Sequence, residues 1–216
     1  MLISRLAHPV TNLGHGVRAG IWTQGCTIGC PGCMARDTWP HRQETDTPPE
    51  VIAGWLLGID IALDGVPISG GEPTEQDELP GLLAMLRVLA GQRDEQWDLL
   101  VYSGIEPSEL AADHPYLAEL TDAVVAGPYV RSEAGDLVLR GSANQQIVCH
   151  TPLGRARYAH VGAAGTADAI GFTIDTGAVR LVGIPAPGTL TAFEEELSSA
   201  GVRLAHKSWP NDRRTP

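Results

Sequence analysis

The sequence predicts an α/β fold built on a mostly parallel sheet. Two observations carry that expectation. Short apolar runs bounded by glycine and proline alternate along the chain with segments whose leucines recur at helical spacing, the pattern of βαβ units. The 216 residues are also 43% hydrophobic and 19% charged, which suits one well-filled core and not a disordered chain.

The elements follow in order. Residues 17–23 read as a strand that delivers the chain into a cysteine-rich loop. Pro48, Pro49 and Glu50 open a helix carrying Val51, Ile52, Trp55, Leu56 and Ile59, since proline and an acid both favour a helix start. Residues 66–69 form a short buried strand that ends in Gly70-Gly71. Leu79, Leu82, Leu83, Leu86 and Leu89 mark a second helix. A strand over 97–102, a short helix over 106–112 and a strand over 122–126 complete the alternation. Beyond residue 157 the pattern changes. Residues 162–165 are small and loose. Residues 169–174 and 178–182 flank Asp175-Thr176-Gly177 as a β-hairpin would. Leu190, Phe193, Leu197 and Ala200 form one helical stripe, Thr191 and Glu194 fit a capping box, and Gly201 fits a helix stop. Three regions are therefore expected: a core over 1–157, a hairpin-and-helix extension over 158–208, and a flexible tail over 209–216. No internal repeat is visible.

The formal net charge is −11 and the pI near 5.0, which argues against a nucleic-acid partner held through phosphates. Lys207 is the only lysine, and the alanine, glycine and arginine richness points to codon bias. Residues 1–9 lack the apolar stretch of a secretory signal, and the longest apolar run, 51–59, is too short to span a bilayer. A cytoplasmic location with no membrane partner is expected. Four cysteines in a reducing compartment then point to metal or catalysis before disulfides.

Three of those cysteines, Cys26, Cys30 and Cys33, stand in the spacing C-x3-C-x2-C. Thiolates are soft ligands that select iron–sulfur clusters, zinc or copper(I). A cubane [4Fe–4S] cluster takes four ligands, so three cysteines leave one iron for a substrate or cofactor. A Cys3His zinc site using His15 or His41 is the alternative from spacing alone. Cys149 sits in an apolar stretch and reads as a small buried hydrophobe. The second motif is Ser69-Gly70-Gly71-Glu72-Pro73 at a strand end. Paired glycines allow close backbone approach to a ligand, and a carboxylate there can hold an ammonium.

Together the two motifs resemble the radical S-adenosylmethionine superfamily. The resemblance implies that Cys26, Cys30 and Cys33 ligate a [4Fe–4S] cluster, whose free iron is chelated by S-adenosylmethionine. It implies that Ser69, Gly70, Gly71, Glu72 and Pro73 contact the methionyl part, and that Gly32 and Met34 pack near the adenine. The cofactor would be cleaved reductively to a 5′-deoxyadenosyl radical that abstracts a hydrogen atom. A narrower resemblance lies in Gly16-Val17-Arg18, Gln24-Gly25-Cys26, Cys30-Pro31-Gly32-Cys33, Asp37-Thr38-Trp39, Tyr102-Ser103-Gly104, Gly127-Pro128-Tyr129 and Arg140-Gly141-Ser142-Ala143-Asn144-Gln145. These are similar to the family of anaerobic ribonucleoside-triphosphate reductase activating proteins. That family implies a partial (β/α) barrel, an oxidoreductase activity that installs a glycyl radical on a partner enzyme, and a flavodoxin or ferredoxin as electron donor. Tyr102, Ser103 and Arg140 become further cofactor-binding candidates, Arg140 because a guanidinium can hold a carboxylate bidentately. The sequence departs from the family at His15 and Ala126, and it continues well past the end of the short activating proteins. Two alternatives stand beside this reading. One keeps the radical chemistry but takes a small molecule or peptide as hydrogen donor, with the extension binding it. The other is a non-catalytic metal-binding or electron-transfer module.

Overall fold

A computed structural model describes residues 1–92, 96–161, 170–175, 178–204, 207 and 209. Six strands form one sheet in the order β1 to β6: β1 (Ile3–Val10), β2 (Arg18–Thr23), β3 (Gly65–Gly70), β4 (Asp98–Ser103), β5 (Ala123–Ala126) and β6 (Gln146–Cys149). The four central strands run parallel, while β1 and β6 pair antiparallel at the two edges. The mostly parallel sheet is the one the alternating pattern predicts.

Central parallel strands are buried on both faces, and their residues divide accordingly. Ala19, Ile21, Val66, Ile68, Leu99, Val101, Val124 and Ala126 face a core shared with the helices. The alternate positions Trp22, Leu100, Ala123 and Val125 face smaller clusters on the other side. The helical layer comprises α1 (Pro49–Leu57), α2 (Leu79–Gln92), α3 (Pro107–Asp113) and α4 (Tyr116–Leu120). Proline occupies the first turn of α1 and α3, where its missing N–H costs nothing. The leucine stripe of α2 (Leu79, Leu82, Leu83, Leu86 and Leu89) is buried along its whole length. Each such side chain contributes on the order of 1.5–3 kcal/mol of burial. Among the described residues, no helix is long and apolar enough to cross a membrane.

The edge strands escaped the sequence reading. His8 and Pro9 interrupt β1, and an edge strand tolerates proline because its outer N–H groups need no partner. Cys149 was expected to be buried; it is half-buried on β6, because that strand is an edge with one face only partly covered. Helix α5 (Pro152–Tyr158) follows, and the expected boundary after residue 157 falls inside it. Tyr158 is buried against Leu100, Val125 and Leu139.

At the N-terminal ends of the parallel strands lies a buried ionic network. Arg18 on β2 and Asp98 on β4 are both fully enclosed and pair bidentately, at 2.5 and 3.0 Å. Tyr158 Oη donates to Asp98 Oδ1 at 2.8 Å, and Arg157 Nη1 donates to Asp98 Oδ2 at 2.5 Å. Burial by itself would raise the Asp98 carboxyl, but Arg18, with Arg157 and Tyr158, outweighs it and holds the group below its ordinary range. Asp122, just before β5, is structural too. It accepts from the Leu99 amide at 2.8 Å, Arg87 at 2.7 Å and Thr151 at 2.5 Å.

The extension forms β7 (Ile170–Asp175) and β8 (Ala178–Gly183), paired antiparallel in a separate sheet, followed by α6 (Thr189–Ser199). The expected turn residues Thr176 and Gly177, the loose segment 162–165 and the tail 210–216 lie outside the described residues. The expected capping box is absent. α6 starts after Gly188, whose positive φ turns the chain, and Glu194 instead accepts from Lys207 and Trp209. Leu190, Phe193 and Leu197 are half-buried, with Phe193 stacked on Phe172 at 5.4 Å, while Ala200 is exposed.

Replacing Asp98 with Asn strands the buried Arg18 cation and is expected to cost about 3–5 kcal/mol, measured by chemical denaturation. Because the folded-state pKa of Asp98 is depressed, its contribution is complete above about 3.9, the ordinary aspartate value, and is lost as pH falls through the folded value. The acid limb of wild-type stability should carry this component and the Asp98→Asn limb should lack it.

Candidate functional site

Strands β2, β3, β4 and β5 deliver their C-terminal ends to one side of the sheet. The loops leaving them are the four motifs singled out in the sequence. Beyond β2 comes the cysteine loop, beyond β3 the Gly-Gly-Glu-Pro turn, beyond β4 Gly104, and beyond β5 Gly127-Pro128-Tyr129. They enclose a cavity of about 460 Å³. Cys26, Cys30, Cys33, Gly32, Met34, Ser69, Gly70, Gly71, Glu72, Tyr102 and Ser103 all line it. Two expected residues do not. Pro73 opens the short 3-10 turn behind Glu72. Arg140 lies outside the lining and donates to the Gln145 carbonyl at 3.3 Å, while its neighbours Gly141 and Gln145 reach the cavity.

The cysteine loop is fixed by backbone bonds. The Gly25 amide donates to the Thr38 carbonyl at 2.7 Å and the Cys26 amide to the Trp39 carbonyl at 3.0 Å. A tight turn brings the Cys33 amide to the Cys30 carbonyl at 3.1 Å. The three thiols are free and partly exposed to the cavity. Burial pushes the Cys26 thiol up, against the pull of the Gly29 and Ile28 amides. Burial likewise raises Cys33, against the Ala35 amide at 3.4 Å and the Trp39 side chain. Desolvated sulfurs met by N–H donors are the environment in which a soft cationic centre stabilises thiolates. Among the described residues, no three His, Cys, Asp or Glu side chains close on one point as ligands of a single ion do. Of the two histidines of the zinc alternative, His41 lies beside the cysteine loop, against Gly25, and His15 lies far from it. His41 Nε2 contacts Glu75 at 3.1 Å, and the His15 amide donates to Tyr158 Oη at 3.4 Å, at the far end of the sheet.

The paired glycines are required by a contact inside the protein as well as lining the cavity. A Cβ on Gly71 would lie 2.0 Å from the Gly25 carbonyl oxygen, and one on Gly70 would lie 2.6 Å from the Thr23 backbone. Their close approach is to the protein's own backbone. The Glu72 amide then donates to the Gly25 carbonyl at 2.8 Å and the Gly71 amide to the Thr23 carbonyl at 2.9 Å, so this turn and the cysteine loop are one unit.

Glu72 is 2% exposed although it reaches the cavity. Its Oε2 accepts from the Gly104 amide at 2.7 Å, and its Oε1 from Thr74 Oγ1 at 2.7 Å and the Thr74 amide at 3.2 Å. Burial raises its pKa, only partly offset by Gly104, Thr74 and Ser103. Every one of these donors is neutral.

Two residues of this unit, Glu75 and Gln76, went unnoticed in the sequence, and a third, Gln24, was noticed only as part of the motif before Cys26. Glu75 accepts from the Thr27 amide at 2.8 Å and from Thr27 Oγ1 at 2.6 Å, clamping the loop between Cys26 and Cys30. Buried Gln24 donates to the Asp37 carbonyl at 3.0 Å and the Pro40 carbonyl at 2.7 Å. Gln76 in turn donates to the Gln24 carbonyl at 3.1 Å and accepts from the Leu2 amide at 2.7 Å. These contacts join residues far apart in the chain, and no local spacing announces them.

Gly71→Ala is expected to lower stability by about 1–3 kcal/mol or more through overpacking against the Gly25 carbonyl. Gly81→Ala is its control. That position on α2 has nothing within 4 Å of an added Cβ, and the change should stabilise by up to about 1 kcal/mol. Denaturant midpoints of the two variants against wild type check both.

The model of the 4Fe-4S single cluster domain family matches residues 12–148. The anaerobic ribonucleoside-triphosphate reductase-activating protein of Salmonella typhimurium is 29% identical over 141 residues, 62% of this chain and 89% of the relative. The proteins of the same name from Escherichia coli and Haemophilus influenzae are each 28% identical over 138 residues, covering 62% of this chain and 89% and 88% of the relatives. The family match runs over more than half of the sequence and takes in every thiol of the cavity. The chain therefore belongs to the 4Fe-4S single cluster domain family, and its likeness to these activating proteins fits a radical S-adenosylmethionine activase.

Proposed function

We propose that the protein is a radical S-adenosylmethionine oxidoreductase that generates a glycyl radical on a partner enzyme such as an anaerobic ribonucleotide reductase. The observation that carries the reading is the convergence of three thiols and a buried carboxylate with only neutral donors on one cavity at the C-terminal ends of parallel strands. Strand C-terminal ends are where open α/β sheets bind ligands. The unbroken strand order also suits a partial (β/α) barrel.

In this reading Cys26, Cys30 and Cys33 hold the cluster and leave one iron for S-adenosylmethionine. When bound, the two groups supply one electron and a 5′-deoxyadenosyl radical. The protein's own residues bind and orient. Glu72 takes the methionyl ammonium. Ser69, Gly70 and Gly71 shape the backbone edge beside it, and Pro73 stiffens the turn from behind. Gly32, Met34, Tyr102 and Ser103 line the remaining walls. Arg140 acts only through Gln145. A flavodoxin or ferredoxin would deliver the electron, and a cytoplasmic location suits both. The second reading, a small molecule or peptide as hydrogen donor, is favoured by one specific observation: residues of the extension line the same cavity.

Anaerobically reconstituted protein should be brown and hold about four irons per chain. Alanine at Cys26, Cys30 or Cys33 should abolish the cluster, while Cys149→Ala keeps it. Stoichiometric zinc without iron uptake would overturn this assignment.

With a strong reductant, the loaded protein should convert S-adenosylmethionine to 5′-deoxyadenosine and methionine. Glu72→Ala should retain iron but bind the cofactor roughly ten- to a hundredfold more weakly, the loss of one charge-assisted hydrogen bond of about 1.5–3 kcal/mol. Absence of 5′-deoxyadenosine under every reductant would refute the enzyme reading.

A further inference from the structure

The cavity that carries the thiols has two walls of different origin. One is made by strand ends within residues 12–148, the part shared with the family. The other is made by the extension, wholly outside that match: Leu181, Val182, Ile184, Pro185, Leu190 and Trp209 line the same space as Cys26 and Glu72. Among the described residues, no charged side chain of the extension joins this wall.

The wall is anchored at two places. At its root, Val182 is 3% exposed and packs with Val10, Leu13 and Trp22, and Asn12 Nδ2 donates to the Val182 carbonyl at 2.6 Å. At its far end, Trp209 Nε1 donates to Glu194 Oε1 on α6 at 2.5 Å. Lys207 Nζ holds both Glu194 oxygens at 2.6 and 2.7 Å and lies 6.0 Å from the Trp209 ring centroid. Trp209 was expected to begin a frayed tail; it is half-buried, with an anchored indole.

We propose that residues 181–191 together with Trp209 are the specificity-determining wall of this cavity, latched through Glu194 and Trp209, and that it selects a small substrate presenting an apolar face. The inference rests on the second reading of the function, in which a small molecule is the hydrogen donor in this cavity. Thr191 is the one polar side chain of the extension besides the Trp209 indole on this wall among the described residues, so a polar group laid against the Leu181, Val182, Ile184, Pro185 and Leu190 side chains would give up water without gaining a hydrogen-bond partner. A volume of about 460 Å³ lies at the small end of ligand cavities, and a bound cofactor would fill much of it. Glu194 is a positioning residue, since it acts through the indole it holds.

Deleting the extension is a poor test, because Val182 belongs to a buried cluster. Point variants at the latch avoid that difficulty. The full-length reduced chain, without added metal, would be labelled with iodoacetamide, N-phenylmaleimide and fluorescein maleimide, with each cysteine followed by mass spectrometry. Cys149 lies outside the cavity and serves as the internal reference. In the wild type, the cavity thiols should react readily with the first two reagents and slowly with the bulky, charged third. Trp209→Ala and Glu194→Gln should each speed the third reaction several-fold at Cys26, Cys30 and Cys33 while leaving Cys149 unchanged. Glu194→Gln keeps the test valid if Trp209→Ala fails to fold. Equal rates in wild type and both variants, or wild-type cavity thiols that label with the bulky maleimide as fast, relative to Cys149, as they do with N-phenylmaleimide, would overturn the proposal. The labelling needs neither cluster nor cofactor. Failure of the radical reading would instead appear as missing iron uptake and missing 5′-deoxyadenosine.

Discussion

The contact between the Gly25 carbonyl and the turn at Gly71-Glu72 holds the site together. A hydrogen bond of 2.8 Å joins the Glu72 amide to that carbonyl, at a separation that leaves no room for a side chain on Gly71. The cysteine loop leaves β2 and the glutamate turn leaves β3, so the parallel register of these strands sets where the loops begin. Thr23 lies opposite Gly70 in that register. The backbone lock then carries the strand geometry into the loops. Glu75 adds a side-chain clamp on Thr27, and Glu72 reaches across to Gly104 after β4. One backbone contact thus links the thiols, the carboxylate and three strand ends.

The two ends of the sheet solve opposite electrostatic problems. At the N-terminal ends, Asp98 is surrounded by Arg18, Arg157 and Tyr158, and its charge is fully matched inside the protein. At the C-terminal ends, Glu72 is equally buried but meets only amides and hydroxyls. The first arrangement is self-sufficient and stabilises the fold. The second leaves a buried carboxyl whose hydrogen-bond donors among the described residues are all neutral. Desolvation raises the carboxyl of Glu72, whereas Asp98 is depressed despite its own burial, and the difference lies entirely in the partners.

The sheet and its helices were legible because their signals are local. The leucines of α2 repeat at helical spacing, and β3 to β5 are short apolar runs. The edge strands were not, because β1 carries Arg5, His8 and Pro9 on a ribbon that needs only one paired side. The thiols and Glu72 were legible through motif spacing, and the structure brings them to one cavity. Glu75 and Gln76 escaped, and Gln24 was seen only as a motif residue, because their partners are brought near only by the fold. The glycines show a subtler limit. Their positions were right, but the neighbour that demands them is the protein backbone. Thr191 and Glu194 matched a capping pattern, yet the carboxylate found a stronger partner in the ammonium of Lys207.

The order of strands in the sheet is the order of strands in the chain. Each new strand can dock on the one just laid down, so few contacts must await a distant segment. All three thiols lie between residues 26 and 33, and the carboxylate follows soon after. During synthesis from the N-terminus, the floor of the cavity therefore exists before the segment that walls it has emerged. A nascent chain at that stage offers its sulfurs on an open face. A metal carrier too large for the finished cavity would reach those sulfurs only before the wall is laid down.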